Sequence, residues 1–134
     1  MIIKIRPAVK NDIADILFIL KDAFGSPTLV TTNDEYFDDI NILTFVGEFE
    51  GTIIGTATLH IIKKINRKVG LIEDVAVMPL YKKKGFGKLL LEHLIKLAKS
   101  KGVYKTMLNS DLKNEIFYHK IGFKTEQIQL VKRY

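Results

Sequence analysis

Val77-Met78-Pro79-Leu80-Tyr81-Lys82-Lys83-Lys84-Gly85-Phe86-Gly87-Lys88-Leu89-Leu90-Leu91 passes from apolar residues, through a Pro and a basic bend, straight into an amphipathic run. That order reads as strand, tight turn and helix N-terminus, with unpaired backbone N–H groups pointing out of the bend. Gly85 and Gly87 let the backbone approach a ligand and take angles that side chains forbid. The lysines add positive charge where an anion is already favoured, so the turn suits a pyrophosphate. The competing reading is a surface turn kept soluble by its lysines. It is not a P-loop, because no Ser or Thr follows Lys88 and the glycines are too close. Nor is it a dinucleotide fingerprint, which needs an earlier glycine and an acidic ribose partner.

Working outward, 134 residues with 47% hydrophobic content suit one domain, residues 1–134, that buries a sizeable core. No run approaches membrane-spanning length, and Met1-Ile2-Ile3-Lys4-Ile5-Arg6 lacks the layout of a signal peptide. No membrane partner is expected. The absence of cysteine excludes disulfides and thiolate nucleophiles, and it fits a reducing cytoplasm. His60, His93 and His119 show no metal-ligand spacing, so no metal is expected. The formal charge of +6 favours polyanions. Nucleic acid, a nucleotide cofactor and a phosphorylated substrate all fit that charge. Without Trp or an alternating basic–aromatic strand, nucleic acid is not the expected partner.

Along the chain, Ile2 to Arg6 reads as a strand ended by Pro7. Asn11 or Asp12 caps a helix with Ile13, Ile16, Leu17, Leu20 and Phe24 on its apolar face, stopped at Gly25-Ser26-Pro27. Residues 26–42 are poorly periodic, with a second helix start at Asn33-Asp34-Glu35, as segments that cover a substrate often are. Thr44 to Glu50 and Thr52 to Ile62 form a β-hairpin rich in β-branched residues. Lys63 to Lys68 is a polar loop, and Gly70 to Val77 the next strand. Lys88 to Lys101 is a helix with Leu89, Leu90, Leu91, Leu94, Ile95 and Ala98 near one face. Tyr104 to Leu108 is a strand, Glu115 to Ile121 a short helix, and Phe123 to Val131 a last strand. The order gives an α+β, three-layer α/β/α domain around a mixed sheet.

With these elements in place, the chain resembles the GCN5-related N-acetyltransferases. Their signature is Gln or Arg, two free positions, Gly, one free position, then Gly or Ala, between the fourth strand and third helix. Lys82-Lys83-Lys84-Gly85-Phe86-Gly87 fits it, with Lys82 in place of Gln or Arg. Ile5-Arg6-Pro7-Ala8, Val77-Met78-Pro79 and Phe117-Tyr118-His119-Lys120-Ile121-Gly122-Phe123 are also similar to family motifs. Gly70-Leu71-Ile72-Glu73-Asp74-Val75-Ala76-Val77 and Gly102-Val103-Tyr104-Lys105 resemble the branch that acetylates glucosamine 6-phosphate. The agreement fades before residue 44.

The resemblance implies acetyl-CoA as cofactor and a small primary amine as acceptor. Backbone N–H groups of Lys83, Lys84, Gly85, Phe86, Gly87 and Lys88 would hold the pyrophosphate. Val75, Ala76 and Val77 would lie along the pantetheine arm, with the Val75 N–H donating to the thioester oxygen. Tyr118 is the implied general acid, since a phenol near pKa 10 can protonate a departing thiolate. Tyr118 and Asn109 would also border the cofactor. Glu73 and Asp74 would contact the amino sugar. They fall on opposite strand faces unless a bulge intervenes. Asn109 stands where the branch commonly has Asp or Glu, and an amide cannot take a proton at neutral pH. The base is therefore open among Glu73, a backbone carbonyl with water, and substrate that arrives deprotonated. Tyr104, Lys105 and Arg133 are implied phosphate contacts, with Arg133 reaching a second subunit in a homodimer. His119 is expected at the surface or a subunit contact. The rival acceptors are a polyamine, an antibiotic, an amino acid or a protein amine. The rival of another class is a non-catalytic acetyl-CoA-binding regulatory module.

Overall fold

In the computed structural model of the protein, which describes residues 2–25 and 34–134, a mixed sheet separates two layers of helix. The strands are β1 (Lys4–Pro7), β2 (Ile42–Phe49), β3 (Thr52–Lys63), β4 (Lys68–Val77) and β5 (Thr106–Leu108), ordered β1-β2-β3-β4-β5. Pairing is antiparallel from β1 to β4, and β4 pairs with β5 in parallel. The expected β2–β3 hairpin turns at Glu50-Gly51, where both residues have positive φ (49° and 80°). Such a two-residue turn matches the right-handed twist of its strands.

The helices are α1 (Ile13–Phe24), α2 (Asp34–Asp38), α3 (Phe86–Ser100) and α4 (Glu115–Ile121). Leu90, Leu91, Leu94 and Ala98 of α3 are fully buried with Phe45, Ala57, Leu59 and Ile72 of the sheet. Burying each of these leucines contributes about 2 kcal/mol. Tyr118, Ile121 and Phe123 of the α4 region pack against the same core. On the opposite face Ile19 of α1 is buried with Val46, Ile53 and Ala76. Alternation along the strands thus makes both sheet faces apolar, and helices cover both.

Several expectations shift. Leu89 is 43% exposed because it falls outside the face of α3 that meets the sheet. Phe24 is likewise exposed, and Ile19 takes the central place on α1. Asp12 does not cap α1 through its side chain. Its carboxylate instead binds Arg6 (2.7 and 2.9 Å) and the Val9 N–H (2.8 Å), tying β1 to the start of α1. The strand expected at Phe123–Val131 does not form in the single chain. The segment runs without a ladder to the sheet and leaves Ile128, Leu130 and Val131 exposed. The β-branched pattern is real, but among the described residues the segment joins no strand. Of residues 26–42, expected to cover a substrate, 26–33 lie outside the described residues. Of that stretch, α2 and the start of β2 are seen.

Candidate active site

Two departures from regular pairing make the site. The β4–β5 ladder runs Gly70↔Thr106, Leu71↔Met107 and Ile72↔Leu108, then stops. From Glu73 and Asn109 onward the two strands are unpaired, which opens a split in the sheet. In the same place β4 carries a bulge. Thr58 pairs with Glu73 and Thr56 with Ala76, so three steps on β4 oppose two on β3. Asp74 is the extra residue, with a left-handed φ of 56°. The bulge decides the question of the acidic pair. Glu73 shares the α1 side of the sheet with Thr58, while Asp74 is exposed at the bulge.

The bulge also re-aims the backbone. Gly70 turns its N–H toward β5 and donates to Lys105 O at 2.9 Å. Regular alternation would send Val75 and Val77 toward β3. The extra residue reverses the phase. The Met78 N–H donates to Ile54 O on β3 (2.7 Å), so the backbone groups of Val75 and Val77 face the split. An unpaired strand edge can accept an extended ligand as an added strand.

Val77 leads through a 3₁₀ turn (Pro79–Tyr81) into the basic bend. Lys83 (φ 60°) and Gly85 (φ 85°) are both left-handed there, and Gly85 stands immediately before α3. Alternating backbone hands of this kind gather N–H groups into an anion-binding concavity at a helix start. Phe86 is 3% exposed and packs near Phe49 and Tyr81, so its side chain anchors the turn and only its backbone faces out. A Cβ at Gly87 would meet only Val77 Cγ2, at 3.8 Å. The protein's own packing therefore does not require glycine there, and the free space suits close approach by a ligand. These residues fit the pyrophosphate and pantetheine of acetyl-CoA.

Past the split, Asn109 and Tyr118 border one open groove of about 800 Å³, with Ile95, Leu108 and Ser110. Tyr118 is half-buried and wedged edge-on between Phe117 and Phe123. Burial, and secondarily the Asp111 carboxylate, push its phenol above the usual value, so it holds its proton firmly at neutral pH. His119 is exposed and meets Thr125 (3.0 Å), which donates to Glu115 (2.9 Å), fastening the outgoing chain to α4.

Tyr104 lies at the other end of β4. Its N–H donates to Lys68 O (2.8 Å), and the Arg67 guanidinium stacks 4.9 Å from its ring centre. Lys63, Lys64, Arg67 and Lys68 join Tyr104 around a shallow basic hollow, while Lys105 lines the β5 groove. Arg67 and Lys68 escaped the sequence reading, which took their run as a polar loop. Their signal was the density of cations at a hairpin end. Arg133 is exposed and is not brought to any of these groups by its own chain. Among the described residues no cluster of His, Cys, Asp or Glu could hold a metal, and no helix is long and apolar enough to cross a membrane.

Comparison with known proteins gives this geometry a context. Residues 13–123 match the acetyltransferase (GNAT) family. The chain is 43% identical over 83 residues to glucosamine 6-phosphate N-acetyltransferase of Trypanosoma brucei brucei, covering 60% of this chain and 56% of that protein. It is 38% identical over 100 residues to the Arabidopsis thaliana enzyme of the same name, covering 72% of this chain and 67% of that one. The crystal structure of the glucosamine-6-phosphate N-acetyltransferase from Arabidopsis thaliana superposes with a TM-score of 0.88 at 31% identity, covering 100% and 99% of the two chains.

Proposed function

We propose that this chain, which belongs to the acetyltransferase (GNAT) family, moves an acetyl group from acetyl-CoA directly to the amine of glucosamine 6-phosphate. The observation that carries the reading is the split after Ile72–Leu108, with the Val75 and Val77 backbone facing into it and leading to the left-handed turn at Lys83 and Gly85. Bound acetyl-CoA supplies the activated acetyl carbonyl. The chain's own groups do the rest. Backbone N–H groups from Lys83 to Lys88 hold the pyrophosphate, and the split orients the pantetheine. The Val75 N–H donates a hydrogen bond where negative charge gathers on the carbonyl oxygen. Glu73, on the α1 side at the mouth of the split, takes the proton that the acceptor nitrogen gives up. Asn109 accepts a hydrogen bond from that amine. Tyr118 keeps its proton at neutral pH and gives it to the sulfur that departs.

The acceptor rests on the names of the two relatives together with Lys105, which lines the groove shared with Asn109 and Tyr118. Its charge suits a phosphate attached to the amine-bearing molecule, whereas Tyr104 and its basic hollow lie at the far end of β4, roughly 17 Å of strand from Glu73 and beyond the span of one amino sugar on the same chain. Arg133 and the exposed strand-like segment ending at Val131 support a homodimer, in which each C-terminal segment finds its partner strand on the other subunit. Assaying a panel of amines with acetyl-CoA tests the reading. Glucosamine 6-phosphate should give the highest kcat/KM, with glucosamine far poorer. Equal rates for both would remove the phosphate subsite. Preference for a polyamine or peptide would replace the acceptor but keep the chemistry, and failure to acetylate any amine would favour a binding module.

A further inference from the structure

The tip of the β3–β4 hairpin carries a group of side chains that acetyl transfer does not use. Lys63 and Lys68 are register partners, and the Lys64 N–H donates to Arg67 O (2.7 Å), closing a tight turn over Ile65 and Asn66. Like charges set directly opposite on two strands cost stability, so the Lys63–Lys68 pair weakens the hairpin rather than building it. Among the described residues none of these four cations meets a carboxylate, and the sequence has no acid between Glu50 and Glu73. Asp39, which the β2–β3 pairing brings toward this end of the sheet, accepts the Asn41 N–H instead (2.8 Å). Ile65 projects from the centre of the group and is 109% exposed. Turns favour Gly, Asn, Asp or Ser at such a position, and a β-branched residue gives the turn nothing. A lone exposed isoleucine is ordinary. This one stands between two pairs of cations without counter-charge, and Tyr104, 70% exposed beside the Arg67 guanidinium, completes the rim.

We propose that this tip docks the protein reversibly on an anionic lipid surface. Ile65 enters the boundary between headgroups and acyl chains, and Lys63, Lys64, Arg67 and Lys68 meet the lipid phosphates and carboxylates. Each cation near such a surface adds about fivefold to binding. The aliphatic stems of lysine and arginine let the charges stay at headgroup level while the isoleucine sinks. Tyr104, with an apolar ring and a polar hydroxyl, suits the same level. A nucleic-acid backbone would satisfy the cations but leave Ile65 without an apolar partner. Among the described residues no helix can cross a membrane, and contact of this kind needs none. Lipid contact at this one surface replaces the expectation that no membrane is a partner. The 10 residues of β4 hold the tip about 30 Å from the turn before α3, so docking leaves the split open.

Sedimentation of the full chain with large vesicles at about 100 mM salt tests this. Phosphatidylcholine vesicles containing roughly one-third phosphatidylserine should bind it at least about tenfold more tightly than phosphatidylcholine alone. Lys64→Ala combined with Arg67→Ala should weaken that binding about 25-fold. Lys4→Ala combined with Lys96→Ala removes the same charge elsewhere and should weaken it less than about twofold, since salt screens distant charges. Ile65→Ser should weaken it about fivefold or more and leave kcat/KM for acetyl transfer within about twofold. Equal losses from the two double variants would reduce the effect to net charge, and no loss from Ile65→Ser would remove insertion. Either result overturns the proposal, as does equal binding to both kinds of vesicle. Capture of an RNA duplex or of polyglutamate without vesicle binding would replace the lipid with that partner. The chain has no Trp, so Ile65→Trp supplies a single reporter. Its emission should shift to the blue on phosphatidylserine vesicles and be quenched by brominated acyl chains. Unshifted emission would leave the tip in water and sink the docking.

Discussion

Tyr118 and Asp12 show how surroundings shift two titratable side chains in opposite directions. The Tyr118 phenol, raised by burial and by Asp111, is suited to carry a proton rather than to lose one. Tyr118→Phe should cut kcat roughly 10- to 100-fold while leaving acetyl-CoA affinity within about twofold, since the ring and its packing stay. Unchanged turnover with chemistry rate-limiting would remove it as the acid. Asp12 is 5% exposed, and its bond to the Arg6 guanidinium chiefly holds its carboxyl below the ordinary value. A depressed folded-state pKa gives stability that is present above the unfolded value, about 4, and lost as pH falls through the folded value. Denaturant titrations should show Asp12→Asn about 2–3 kcal/mol less stable at neutral pH and without that acid-side loss. An acid limb of unchanged size in the variant would assign it to other carboxylates. Arg6 was legible in the sequence only as part of a family-like opening. Its partner Glu48 is set by the β1–β2 register, and Asp12 by the turn that leads from β1 into α1.

At the scale of elements, the turn before α3 and the C-terminal segment carry the sharpest expectations. Gly85 sits at φ 85° with open space around its missing Cβ, so conformation rather than crowding demands glycine. Gly85→Val should cost about 1–2 kcal/mol of stability and weaken acetyl-CoA binding more than tenfold, because straightening the turn scatters its N–H groups. Calorimetric binding to the variant would check this, with unaltered affinity counting against the turn as the anchor. The C-terminal segment poses the opposite problem, since Ile128, Leu130 and Tyr134 are 88%, 91% and 108% exposed. Apolar strand-forming surface left in water invites pairing with another chain. Removing residues 125–134 should turn a dimer into a monomer at micromolar concentration in sedimentation runs. A truncated chain that stays dimeric would move the interface elsewhere. The sequence announced both elements, but the strand it expected of the second does not form in the single chain. Periodicity reports that a segment wants a strand beside it and is silent on which chain provides one.

Across the whole molecule, charge and topology work together. The net charge of +6 includes the bend from Lys82 to Lys84 at one end of β4 and the Lys63–Lys68 hairpin at the other. Raising salt from about 50 mM to about 500 mM should weaken CoA binding several-fold and leave pantetheine binding nearly unchanged, since only CoA carries the phosphates. Equal sensitivity of both ligands would show that the lysines do not act on the pyrophosphate. The amino-acid order alone determined the layers, the hairpin, α3 and the basic glycine-containing bend before it, because each depends on local periodicity and on glycine at particular steps. The same locality made Tyr118 and the Glu73-Asp74 pair visible as candidates. Their arrangement was decided elsewhere. The bulge at Asp74 arises from pairing with β3 and sends the Val75 backbone into the split, whereas Glu73, one residue before it, keeps the regular register with Thr58 on the α1 face. The end of the β4–β5 ladder at Ile72–Leu108 is likewise set by contact between remote segments. A period of two predicts which residues share a face only while the ladder is regular. Where the ladder breaks, the chain's three-dimensional pairing sets the direction of every following group.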